Sequence, residues 1–292
     1  MEKKVTYFFG RIHFSKDKSI LDYHQDKNIK INWIKKRLEE FFENFRFLRD
    51  NYGKKFEYKI GGLEYTQNED VLIAKFVRIK HSDLDWDEVK KDTIKKEGIG
   101  DVEQCYFFIH IPTLILGYEE FQNLRGLVNI FKQEYKRQFQ NELGIDLFKK
   151  DDEALRIINS YKVNQARLNF EPTNPNPFGD TKKAEDFLLD LNAGRVKLEP
   201  KVNSIKKEQG LNFSVGSFLR NTLALCHKAY GKYKLFYVDG KVVKEFDSEK
   251  NLVKKKVKIY QDNEKKERIE EYYRLIEEIR VEIEENDINR EN

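Results

Sequence analysis

The dipeptide Asp239-Gly240 stands between residues 234–238 and 241–246, two runs rich in valine, tyrosine and phenylalanine. Asp-Gly between such runs favours a two-residue type I′ turn, whose backbone twist matches that of paired strands. The two runs are therefore expected to pair antiparallel, and residues 252–260 can add a third strand. This hairpin sets the sheet type for the C-terminal half of the chain.

Upstream, Val163, Arg167, Leu168, Asn169 and Phe170 have the pattern of a strand that must stop at Pro172, because proline fixes φ and offers the ladder no N–H. Pro172, Pro175 and Pro177 then stiffen a loop, since each residue before a proline is pushed to an extended conformation. Asp180 is placed to cap a short helix with Ala184, Phe187, Leu188 and Leu191 as its apolar stripe. Gly194 supplies a left-handed stop before a basic strand. Residues 215–230 carry apolar side chains on more than one side, which predicts a buried helix ended by Gly231.

In the N-terminal half, alternation over residues 5–14 predicts a strand. Ile34, Leu38, Phe41, Phe45, Leu48 and Tyr52 recur at steps of four and three, which predicts one amphipathic helix over residues 31–52, ended by Gly53. Gly61-Gly62 is expected to break residues 56–65 into two short extended runs. Residues 71–80 alternate as a strand, 83–97 suit a polar helix, and the continuous apolar run 105–111 suits a central strand. Phe121, Leu124, Val128, Phe131 and Tyr135 predict a helix over residues 118–143 with Gly144 as its stop.

The last element, residues 264–285, places Ile269, Tyr272, Ile276, Ile279 and Ile283 in a seam of alternating three- and four-residue steps. The seam can pack on its own domain or make a homodimer, and the sequence leaves both open. Strands and helices are mixed without strict alternation, so the expected class is α+β, with mainly antiparallel sheets, packed helices and a C-terminal amphipathic helix. The charge cluster Lys149-Lys150-Asp151-Asp152 suggests two α+β domains, 1–150 and 151–292.

Charge matters here for its distribution. The formal net charge is only +4, from 55 Lys and Arg against 51 Asp and Glu. Residues 195–234, however, hold nine basic and two acidic side chains, whereas residues 269–292 hold three basic and nine acidic. The basic set Arg167, Arg195, Lys197, Lys201, Lys206, Lys207, Arg220, Lys232 and Lys234 is interleaved with Tyr230, Tyr233 and Phe236. Cations neutralise phosphates and aromatic faces stack on unpaired bases, so this composition suits DNA or RNA binding without sequence readout. A solvated rim around a sheet has the same composition.

Other function classes find no support. Cys105 and Cys226 lie in apolar runs without metal-ligand spacing, as buried reduced thiols do. His13, His24, His81, His110 and His227 are scattered singly, so no metal is expected. Serine elbows, phosphate loops and dinucleotide fingerprints are absent; no cofactor is expected and no catalytic residue is assigned. No uncharged run approaches the ~18 residues of a membrane span, and the first ten residues lack a signal-peptide core, so a cytoplasmic protein is expected.

The segments ARLNFEPTNPNPF, from Ala166, and AYGKYKLFYVDGKVVKEFDSE, from Ala229, lie in a strand, short helix, basic strand, helix and hairpin order. That order resembles the phage-exclusion and abortive-infection proteins that include the Rex exclusion DNA-binding protein, over residues 160–292. The resemblance implies a dimeric α+β protein that binds DNA without strong sequence preference and acts in antiviral defence. It carries over no catalytic residues. A second resemblance, to the ferredoxin-like proteins of CRISPR RNA processing, implies a metal-independent RNA endonuclease with His13 or His24 as general base in an exposed polar loop. The glycine-rich loop of those proteins is missing.

Overall fold

Antiparallel pairing dominates the computed structural model, which describes residues 2–14, 27–51, 54–80, 102–120, 124–150, 152–170, 196–202, 209–214, 216–227, 231–260 and 264–285. In chain order these form β1 (Glu2–His13), α1 (Lys27–Glu43), β2 (Arg46–Asn51), β3 (Lys54–Tyr65), β4 (Val71–Lys80), β5 (Val102–His110), β6 (Ile115–Glu119) and α2 (Leu124–Phe139). Then follow β7 (Gly144–Leu147), α3 (Asp152–Ser160), β8 (Lys162–Phe170), β9 (Val196–Leu198), α4 (Phe218–Leu225), β10 (Gly231–Asp239), β11 (Val242–Asp247), β12 (Lys254–Tyr260) and α5 (Glu264–Glu285). The chain is α+β. The polar helix expected over 83–97, the proline loop and short helix over 172–194, His24 and His81 lie outside the described residues.

Two compact units divide the chain: Met1–Phe8 with Asp17–Leu143 and Lys255–Tyr272, and Phe9–Lys16 with Gly144–Lys254 and Tyr273–Asn292. The first is built on a sheet of order β12-β1-β6-β5-β4-β3-β2. Phe131 of α2 is the hub of its aromatic core, meeting Phe41 at 6.0 Å, Phe45 at 5.4 Å, Phe76 at 5.7 Å and Phe107 at 5.6 Å, all edge to face. Such pairs add about 0.5–1.5 kcal/mol each beyond the area they bury. On another side of the sheet Tyr272 of α5 stacks on Phe108 at 4.5 Å.

Several expected boundaries move, each for a physical reason. The helix over 31–52 stops at Glu43, because Gln138 of α2 donates to the carbonyls of Phe41 (3.3 Å) and Asn44 (3.2 Å), and Glu134 accepts the Arg46 N–H. Residues 46–51 then pair with β3 as a strand, which leaves Leu48 61% exposed instead of on a helical stripe. Gly61-Gly62 does not break β3; it forms a bulge, with Gly62 at φ +60 and a register shift between Gly61 and Glu64. Tyr118 belongs to β6, and α2 is only 124–139. Its left-handed stop is Gln140 (φ 55), while Gly144 opens β7 against the end of β1.

The second unit holds a sheet of order β11-β10-β8-β9. One face is its core, where Val163, Ala166, Leu168, Leu235, Tyr237 and Phe246 meet Ile157 of α3 and Leu223 of α4. Gly231 begins β10, and a side chain there would strike the Asn169 carbonyl; residues 228–230, the expected end of the preceding helix, lie outside the described residues. The hairpin forms as expected but one residue later. Asp239 pairs with Val242, so the turn is Gly240-Lys241, with Gly240 at φ +62 in its first central position. β12 leaves the hairpin and lies beside β1.

α5 spans the residues expected of it, and its seam positions Tyr272, Ile276 and Ile279 are at most 4% exposed. These three side chains pack within the chain.

Candidate nucleic-acid interface

Pleating decides which side chains the second unit's sheet presents away from its core. Tyr233, Leu235 and Tyr237 of β10 point inward, which puts Lys232, Lys234 and Phe236 on the outer face. Register then fixes their neighbours. Lys232 lies opposite Asn169, Lys234 opposite Arg167, and Phe236 opposite Gln165 on β8. Lys197 of β9 lies on the far side of Asn169, and Lys201 bridges to Gln165. Three rows thus cross the sheet, each with at least one cation.

At the centre the Arg167 guanidinium lies over the Phe236 ring, 5.2 Å from its centroid. Arg167 is half exposed. Carboxylates border every cluster of positive charge. Lys234 contacts Glu245 at 2.7 Å and Asp247 at 2.9 Å, Lys232 contacts Glu249 at 3.3 Å, and Glu199 lies 2.8 Å from Lys197 and 3.9 Å from Arg167. Lys197 and then Arg167 hold the Glu199 carboxyl below the usual carboxylate range. Partial burial raises the Asp247 carboxyl, but the Lys234 ammonium and the Glu249 N–H outweigh it and hold the carboxyl low. Among the described residues, five cations on this face therefore meet four carboxylates.

Of the basic residues expected at a site, the structure brings Arg167, Lys197, Lys201, Lys232 and Lys234 together. Arg220 does not join them. It is 7% exposed, and its Nη1 donates to the Phe213 carbonyl at 3.3 Å, so it pins the turn before α4. Arg195, Lys206, Lys207 and Tyr230 lie outside the described residues. Sequence reasoning missed the bordering Glu245, Asp247 and Glu249, although hairpin pairing alone would have brought an acidic residue to Lys234.

Three histidines, His13, His110 and His227, are among the described residues. His13 is the last residue of β1, not part of the polar loop expected after it, and is 3% exposed beside Asp146 (3.8 Å). His110 Nδ1 shares a 2.7 Å hydrogen bond with Thr113. His227 Nε2 meets the Tyr233 hydroxyl at 2.9 Å, and burial, helped by the nearby Lys149 charge, pushes its pKa down to about 3. Cys105 and Cys226 are buried free thiols, and burial raises Cys226 to about 12. Among the described residues no group of three or more acidic, histidine or cysteine side chains could hold a metal ion. No helix among them is long and apolar enough to cross a membrane.

Residues 119–277, more than half of the chain, match the family model described as Domain of unknown function (DUF4747). The chain belongs to the DUF4747 family. All four strands of the basic face fall inside the DUF4747 segment. No curated protein matches the chain.

Proposed function

We propose that this DUF4747 chain binds DNA or RNA, without reading sequence, on the outer face of the β11-β10-β8-β9 sheet. The observation that carries the reading is the alignment of Arg167, Lys197, Lys232 and Lys234 in neighbouring rows of one exposed face around Phe236. Cations at that spacing can follow a phosphate backbone while an aromatic face accepts bases. The bordering carboxylates do not oppose this strongly, since exposed ion pairs contribute only about 0–1 kcal/mol and exchange readily for phosphate. A role in phage defence rests on the resemblance of residues 160–292 alone.

Anisotropy of labelled oligonucleotides at about 50 mM salt tests the binding. Association that weakens on replacing Arg167 and Lys234 together by Glu is the expected result. No association of any oligonucleotide with the wild type, or association untouched by the double change, removes the assignment.

A further inference from the structure

If the face binds nucleic acid, its geometry also selects the form of the ligand: we infer that it takes a single strand, held mainly by stacking a base on the Arg167–Phe236 pair. This deepens the reading above and rests on it. Arg167 and Phe236 lie diagonally across β8 and β10, with the guanidinium 5.2 Å from the ring centroid. The guanidinium already covers the ring from one side. Its opposite plane, on a side chain 51% exposed, is the surface a base can meet, and guanidinium planes and aromatic rings are both stacking partners for unpaired bases. A base inside a duplex offers neither of its faces.

Charge leads to the same ligand. Binding to a duplex without base contacts is carried by cations that neutralise its phosphates. Here five cations face four carboxylates, and the strongest cluster, Lys234, is shared by Glu245 and Asp247. With one positive charge in surplus among the described residues, the face gains little from phosphates and most of its affinity from contact with bases. The amides of Gln165 and Asn169, in the rows on either side of Arg167, are polar groups of the kind that meet base edges splayed on a sheet. The ligand is thus a short single-stranded segment of RNA or DNA, bound with little sequence preference.

The test uses the full chain with fluorescein-labelled twelve-nucleotide single strands of RNA and of DNA and the matched duplex. Single strands bind more tightly than duplex, and log affinity against log salt falls with a slope between about −0.7 and −3.5, the values for one phosphate and for five on a single strand. Arg167→Lys keeps the charge and removes the guanidinium plane that the base meets. It weakens single-strand binding by about 5- to 150-fold, the range for loss of one stacked base, without changing the slope. Phe236→Trp, which keeps an aromatic ring beneath the guanidinium, retains binding, and circular dichroism melts identify any variant that has lost its fold. Duplex binding as tight as single-strand binding, or unchanged single-strand affinity in Arg167→Lys, overturns the inference while leaving the basic face intact. Failure of every probe to bind the wild type overturns the face itself.

Discussion

Gly117 and Phe108 face each other across the β5–β6 pair so closely that a Cβ on Gly117 would be driven into the Phe108 ring. The ring fills the space a side chain would take and passes the contact on, stacking on Tyr272 of α5 and tilting against Tyr7 of β1 at 6.1 Å. Gly117→Ala is expected to lower stability by about 1–3 kcal/mol, as overpacking of a rigid core does. Urea unfolding measures it. A variant as stable as the wild type would show that the ring has room to retreat.

Arg268 of α5 is 2% exposed, and its Nη1 donates to both the Glu119 carboxylate and the Tyr7 hydroxyl, the latter at 3.0 Å. Its guanidinium also lies 4.1 Å from the Tyr106 centroid. Removing either charge strands the other in the core, so Arg268→Met or Glu119→Leu alone should cost about 3–5 kcal/mol. The double variant loses both charges together and should cost less than the sum. Additive losses in a double-mutant cycle would mean the two do not act as a pair.

His227 predicts an acid dependence. Its folded pKa is depressed to about 3 against about 6.5 when unfolded, so below pH 6.5 only the unfolded chain takes up the proton. The contribution is complete above pH 6.5 and falls by up to about 1.4 kcal/mol per unit as pH drops toward 3. Thermal melts at pH 7 and pH 5, where most carboxylates remain ionised, should separate in the wild type and draw together in His227→Gln. Equal separations in both proteins would assign the effect elsewhere.

Gly240 has positive φ and open space where a side chain would be. The cost of Gly240→Ala is therefore conformational alone, about 1–2 kcal/mol. Gly240→Asn should recover part of it, because asparagine tolerates the left-handed region. Denaturant midpoints rank the three proteins, and an alanine variant equal to the wild type would contradict the turn geometry.

Elements whose period survives in isolation were legible from residues alone. β4 and α5 have the ends that alternation and the seam spacing imply, and the hairpin is present because Gly240 permits the reversal on its own. The class, α+β with antiparallel sheets, follows from these local patterns. The basic set was partly legible too, since Lys232 and Lys234 share a face of any strand that contains both.

What the residues could not decide was which distant groups would meet them. Residues 46–51 continue a helical spacing, yet they became β2 because Glu134 and Gln138 took the backbone groups that would have carried the helix on, and β3 offered a partner. Arg220 counts as surface charge along the chain and is buried in the fold. The balance of nine bases to two acids over residues 195–234 implies a strongly positive patch. Register then brings Glu245 and Asp247 from β11 to Lys234, and Glu249 reaches Lys232, so the assembled face is nearly balanced. Periodicity is a property of neighbours in the chain, whereas burial, hydrogen-bond partners and local charge belong to neighbours in space, and only strand order and register create those.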